Sequence, residues 1–128
     1  MKRLSMAVAT VVLSLSIPAT AYGVNVSSND GSGTFGTTAW LVNGANVSGS
    51  LKSTLGNPVY QAGAVVFNRD TDDDRGRWSS DTSSTSSVTK TGSLTTSRSG
   101  WDGVHSKICR NRNNLPDPCG SWSTTIFK

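Results

Sequence analysis

The chain has 128 residues, with twelve lysines and arginines against eight aspartates, no glutamate and a formal charge of +4. That length holds one domain with one modest core, and so small a basic surplus argues against nucleic acid as a partner. Serine and threonine are abundant while leucine and lysine are sparse, which is poor helix material because hydroxyl side chains compete for backbone hydrogen bonds. An all-β domain is predicted.

The N-terminus reads MKRLSMAVATVVLSLSIPATAYG. Lys2 and Arg3 precede an apolar run from Met6 to Ile17. Pro18 breaks the run, and Ala19-Thr20-Ala21 has the small-x-small form that signal peptidase needs. Residues 1–21 are predicted to be a secretory signal peptide, leaving residues 22–128 as a single domain. The run is shorter than the roughly 20 residues of a membrane-spanning helix. No later segment is apolar enough to act as an anchor, so a released, extracellular protein is expected. Loss of Lys2 and Arg3 would leave ten basic residues against eight aspartates, a formal charge of +2.

Beyond the signal, apolar residues recur with period two between turn signals. Strands are predicted over Thr34–Val42, Val47–Leu55, Val59–Arg69, Trp78–Thr85, Val88–Thr96, Val104–Asn111 and Trp122–Phe127. Val47, Gly49, Leu51 and Leu55 should share one face, and the AVVF run should form a central strand. Asn43-Gly44 signals a type I′ turn between the first two strands. About seven short strands at this spacing predict an antiparallel β-sandwich, immunoglobulin-like or jelly-roll-like. The run SSDTSSTSSVTKTGSLTTSRS, residues 79–99, reads either as a flexible linker or as two polar strands with Val88 and Leu94 pointing inward. Strands are preferred, because threonine suits pleated sheet and no second domain follows. Asn25-Val26-Ser27 and Asn46-Val47-Ser48 are glycosylation sequons whose use depends on the host.

NRDTDDDRGRW carries Asp70, Asp72 and Asp74 in alternation, and Asp81 follows at the twelfth place of a calcium-loop count. The sixth place, which needs glycine, holds Arg75. A polar hairpin tip is therefore preferred, and no metal is expected. Asp102-Gly103 is a second tight-turn signal. A hairpin there would set Trp101 against Val104 and Ser97 against Ile108, and would place Arg98 opposite Lys107. Like charges directly opposed destabilise a ladder, so either the register differs or the sheet carries a small basic strip.

Cys109 and Cys119 are the two cysteines of the chain. Zinc needs four ligands in close pairs, and a thioredoxin-type site needs two residues between its cysteines; neither pattern is present. In an oxidising compartment the pair should form a disulfide. The bridged loop offers Arg110, Arg112, Asn113, Asn114 and Asp117, with Pro116 and Pro118 rigidifying it. It reads either as a recognition loop or as a stitch that ties the last strand to its neighbour. His105 is the single histidine, no G-x-S-x-G elbow or phosphate loop occurs, and neither catalysis nor a cofactor is expected. Trp40, Trp78, Trp101 and Trp122 are expected to supply core bulk, with Trp40 and at least one other buried.

The stretch TGSLTTSRSGWDGVHSKICRNRNNLPDPCGSW resembles the C-terminal half of small secreted actinobacterial proteins. Its firmest points are Ile108-Cys109-Arg110 and Pro116-Asp117-Pro118-Cys119. The resemblance implies secretion, a β-sandwich and the Cys109–Cys119 bridge, but no activity. The expected function is non-catalytic binding of an extracellular polymer or a protein partner through Arg98, Lys107, Arg110, Arg112 and Asp117. The alternative is a small toxin or inhibitor acting through the disulfide loop.

Overall fold

The computed structural model describes residues 23–69 and 71–128; the signal-peptide reading of residues 1–21 lies outside them. The described residues form no helix and eight strands: β1 Val24–Ser27, β2 Gly31–Leu41, β3 Gly44–Ser53, β4 Val59–Phe67, β5 Thr71–Arg77, β6 Val88–Thr95, β7 Trp101–Arg110 and β8 Ile126–Phe127. Two antiparallel four-stranded sheets pack face to face, in the orders β1-β2-β3-β6 and β5-β4-β7-β8. Two adjacent strand pairs, β3 with β6 and β4 with β7, thus lie in opposite layers, and the chain changes layer after β3, β5 and β6.

Alternation builds the core. Ala45, Val47 and Leu51 of β3 join Phe35, Val26 and Leu94 on one inner face. Val59, Val65, Phe67, Val104 and Ile108 line the other. Each of the valine, leucine, isoleucine and phenylalanine side chains among these contributes about 1.5–3 kcal/mol when taken fully out of water. The outer face of the first sheet stays polar, with Thr89, Thr91 and Thr95 exposed on β6.

One polar cluster crosses this core. Pairing of β2 with β3 runs from Gly31↔Ser53 to Gly33↔Leu51 and resumes at Gly36↔Ser48. In the gap, the carbonyl oxygens of Thr34 and Ser50 each accept a hydrogen bond from Gln61 Nε2 on the opposite sheet, at 3.0 Å. Only a donor fits between two carbonyls, which settles the orientation of the amide. Gly33 and Gly49 permit the gap: a Cβ on either would lie within 2 Å of the Ser50 or Thr34 carbonyl oxygen, at 1.9 and 1.8 Å. Gln61 Oε1 accepts from the Ser106 hydroxyl at 2.9 Å. The Ser106 oxygen in turn accepts from Trp78 Nε1, also at 2.9 Å.

Two irregular straps close the open sides. Residues 78–84 cover one: Trp78 and Ser79 donate backbone N–H groups to Gln61 O, and Thr82 exchanges backbone bonds with Val59. The tail after Pro118 covers the other, following β7 through Arg110 N–H to Pro118 O, Gly120 N–H to Ile108 O and Ser123 N–H to Ser106 O.

Several expectations need correction. Trp78–Thr85 is a strap rather than a strand, because Trp78 turns inward instead of continuing a ladder. The β2–β3 turn falls on Val42-Asn43, with Leu41 paired to Gly44, and neither turn residue has the positive φ of a type I′ turn. Asp102-Gly103 lies inside β7 and makes no turn. Gly103 is instead needed because a Cβ there would sit 2.5 Å from the Ile126 carbonyl oxygen. β6 and β7 belong to different sheets, so Arg98 and Lys107 never face each other. Leu55 lies past the end of β3, 71% exposed. Trp40 is 41% exposed, while Trp78 and Trp101 are buried.

The acidic segment is not a hairpin tip but a strand, β5. The bend lies before it, where Asn68 and Arg69 take φ of 51° and 68°. Charge along an edge strand discourages edge-to-edge association. Asp70 lies outside the described residues, and Asp72 forms an ion pair with Arg75.

Replacing Gln61 by Leu roughly keeps the volume but leaves the Thr34 and Ser50 carbonyls without their donor, while the Ser106 hydroxyl can still donate to the Ala62 carbonyl at 2.9 Å. We expect a loss of about 2–4 kcal/mol in urea unfolding, within the range for unsatisfied buried polar groups. A midpoint equal to wild type would show that the cluster holds nothing together.

Candidate functional site

The end of the sandwich at which β7 finishes carries the stapled loop. Cys109 and Cys119 are disulfide-bonded, with Cα atoms 4.0 Å apart. They form a bridge between the end of β7 and the start of the tail. The stitch reading of the cysteines therefore holds: the bond fixes the tail against β7. The same bond closes the loop 110–118 at its base.

The loop is tied down at further points. Asn111 N–H donates to the Pro58 carbonyl at 2.9 Å. Asp117 turns back over the sheet: Oδ2 accepts from Tyr60 OH at 2.6 Å, and Oδ1 accepts from Arg112 N–H at 2.9 Å. Asn111 Nδ2 donates to Asp81 Oδ2 at 2.8 Å, and Asp81 also pairs with Arg77. The Arg77 guanidinium lies over the Tyr60 ring, 3.7 Å from its centroid. Asn114 adopts φ 61°, a left-handed conformation that asparagine tolerates and that turns the tip. What remains outward is Arg112, Asn113, Asn114, Pro116 and Leu115, the last 54% exposed.

Beside the loop, the outer face of β4, β5 and β7 forms a shallow concavity of about 310 Å³, lined by Tyr60, Arg77, Lys107, Asp117 and Trp122. Trp122 stacks on His105 with ring centroids 4.0 Å apart, and the Lys107 ammonium lies 4.4 Å over the Trp122 ring. Burial under the tail holds the His105 imidazole below its ordinary pKa, which favours the neutral ring.

The five residues expected to bind do not all meet. Arg112 and Asp117 belong to the loop, and Asp117 is its internal clamp. Lys107 faces the neighbouring concavity. Arg110 stands at the loop base and reaches inward to Asp30, 3.9 Å away. Arg98 lies at the far end of the molecule, its guanidinium 4.4 Å over the Phe67 ring. At about 3.3 Å per residue, β7 separates the two ends by about 30 Å. Tyr60, Arg77, Asp81 and Asn111 were not placed beside the loop by the sequence, which offered Asp81 only as the last position of a calcium-loop count. Tyr60 gave one hint, since a phenol on a half-buried strand needs a partner for its hydroxyl.

Comparison with protein-family models, with curated proteins and with solved structures finds no match to this chain. The resemblance of residues 88–122 therefore rests on those residues alone.

The Tyr60–Asp117 bond makes stability depend on pH at both extremes. Burial, and then the carboxylate beside it, push the Tyr60 phenol up to about 12. The Tyr60 hydrogen bond, and then that from Arg112 N–H, hold Asp117 below the usual carboxylate range. The folded chain thus keeps the tyrosine proton more tightly than the unfolded chain and releases the aspartate proton more readily. From this pair alone, stability should be level in between, fall above about pH 10, and fall again as acid titrates Asp117. The depressed His105 imidazole adds a separate decline as pH drops below its ordinary pKa of 6.5. In Tyr60→Phe the alkaline decline should largely disappear and mid-pH stability should drop by about 1–2 kcal/mol. Unfolding curves across pH that superimpose for the two proteins would contradict this.

Proposed function

We propose that this protein is a secreted, non-catalytic binding domain that holds an extracellular polymer or a protein partner through the loop 110–118. The observation that carries this reading is the contrast within the loop. Its base and flank are fixed by the disulfide, the Tyr60–Asp117 bond and the Asn111 contacts, while Arg112, Asn113, Asn114 and Leu115 face outward. A loop ordered before contact loses less conformational freedom on binding. One guanidinium, two carboxamides and one aliphatic tip suit an acceptor-rich surface with a small apolar patch. Lys107 and Arg77 extend that surface into the concavity.

Secretion is supported by the Lys2-Arg3 head, apolar run and Ala19-Thr20-Ala21 site, together with the disulfide, which persists in oxidising compartments. No helix among the described residues is long and apolar enough to cross a membrane. The non-catalytic reading draws on His105, which stacks beneath Trp122. It also draws on the carboxylates around the loop: Asp81 pairs with Arg77, and Asp117 is held by Tyr60 and Arg112.

A second reading has its own observation. Leu115 projects from the loop tip between Asn114 and Pro116, as expected of a toxin or inhibitor whose loop enters a cleft on its target. Growth-inhibition and enzyme-inhibition assays with the purified mature protein separate the two readings.

Glycan-array binding and capture from the producing cell's envelope should both depend on the loop. Arg112→Ala and Leu115→Asp are expected to weaken the interaction about tenfold or more, as central contacts do. Binding and inhibition unchanged by both would end the loop reading.

Joint replacement of Cys109 and Cys119 by serine should lower stability by about 2–3 kcal/mol. It should also weaken binding under conditions where the domain stays folded, since the loop then has to be ordered on contact. Full affinity with the bond absent would remove pre-ordering from the account.

A further inference from the structure

The opposite end of the sandwich presents a different surface. It comprises the β2–β3 turn at Val42-Asn43, the bend at Asn68-Arg69, the segment 96–100 and Lys128. Five large hydrophobic side chains are exposed among the described residues, and three are here: Trp40 at 41%, Val42 at 99% and Phe127 at 40%. Trp40 packs on the buried Trp101 with centroids 5.9 Å apart. Trp101 Nε1 donates to the Val42 carbonyl at 3.4 Å, tying the turn to the end of β7.

The same end gathers cations. The Arg69 guanidinium lies 4.1 Å over Phe127, that of Arg98 lies 4.4 Å over Phe67, and the Lys128 ammonium lies 3.7 Å over Trp101. A concavity of about 380 Å³ between Val42, Arg98, Gly100, Trp101 and Lys128 opens among them. The acidic side chain placed there among the described residues is Asp102, whose Oδ2 accepts the Arg69 backbone N–H at 2.9 Å.

We propose that this end docks on an anionic lipid surface. Val42 and Trp40 would enter the headgroup layer, and Arg69 and Lys128 would meet the anionic groups around them. Three details favour lipid over a sugar polymer. Val42 stands at the apex of a two-residue turn, where polar residues or glycine are the usual choice, and it packs on nothing. A sugar would need open, coplanar aromatic faces, whereas Phe67 and Trp101 are buried, Phe127 has Arg69 over its ring, and Trp40 is tilted against Trp101. Tryptophan beside an aliphatic tip, ringed by basic residues, is the composition that partitions into a membrane interface. Positive charge near such a surface is drawn to acidic headgroups within a Debye length.

The test is sedimentation of the purified mature protein with vesicles of phosphatidylglycerol and phosphatidylcholine in equal parts, against vesicles of phosphatidylcholine alone. Binding to the anionic vesicles, weakened by salt and accompanied by a blue shift of tryptophan emission, is the expected result. Val42→Asp should reduce binding about tenfold or more, and Lys128→Gln about fivefold. Both positions lie at the surface, and circular dichroism confirms that each variant is folded. Arg112→Ala, about 30 Å away, should sediment as wild type, so failure here and failure of the loop reading are distinguishable. Absence of sedimentation, equal sedimentation with both vesicle types, or indifference to both substitutions overturns the proposal. So does salt-sensitive capture on an acidic polysaccharide resin that Val42→Asp leaves unchanged.

Discussion

The side-chain amide of Gln61 is the constraint on which the two-layer arrangement depends. It stands where an apolar residue would ordinarily seal the core, and it takes over backbone pairing that β2 and β3 give up. Its oxygen hands the connection on to Ser106 and so to Trp78. A buried polar group without partners costs about 1–3 kcal/mol, but a satisfied network fixes one arrangement against its near-alternatives. Sliding β4 by two residues would bring Val59 or Gly63 opposite the two carbonyls, and neither side chain can donate to them. Register between the sheets is thereby set by hydrogen bonding, in a chain with little leucine and isoleucine to set it by shape.

The same economy of apolar volume explains the treatment of the aromatics and the cations. Five basic side chains lie over aromatic rings: Arg69, Arg77, Arg98, Lys107 and Lys128. Energetically meaningful pairs of this kind occur about once per 70–80 residues, so the density here is high. The long stems of these residues cover ring surface that a larger core would have buried, while their charges stay in water. A modest positive charge is thereby spread over both ends and one outer face, instead of forming the single strip that the Arg98–Lys107 pairing would have made.

Strand existence was legible where alternation was clean, as in Val47 to Leu51 and Val59 to Phe67, and the disulfide followed from cysteine number and spacing. The elements that misled share a physical cause. Gly103 beside Asp102 has the local signature of a turn, yet its lack of a side chain serves the close passage of Ile126, a contact some two dozen residues away. Thr71–Arg77 is too charged to read as a strand, because an edge strand needs only one ladder and can give its other side to water. β1, only four residues long, gave too short a pattern to read. Trp78 and its strap look like strand sequence since the residues are bulky and hydroxylated, but Trp78 is drawn inward by the Ser106 acceptor. Within the candidate site, Arg112 and Asp117 were readable from their place between the cysteines. Tyr60, Arg77 and Asp81 were not, because what makes them part of it is the fold-over of a loop from far along the chain.

A sandwich of this connectivity separates its two ends by the length of its central strands, and β7 enters both. It begins at Trp101, which supports the apolar turn of Val42 and Trp40, and ends at Cys109, which anchors the loop. Between these points five consecutive residues are committed: Ile108 and Val104 to the core, Ser106 to the polar cluster, Lys107 and His105 to the tail residue Trp122. Such a strand has little freedom to rearrange, so contact at one end has no bistable element through which to alter the other. The two surfaces are therefore expected to act independently, joined only by fixed geometry. A body held to one surface by the Val42 end would present its stapled loop away from it, at a set distance and orientation.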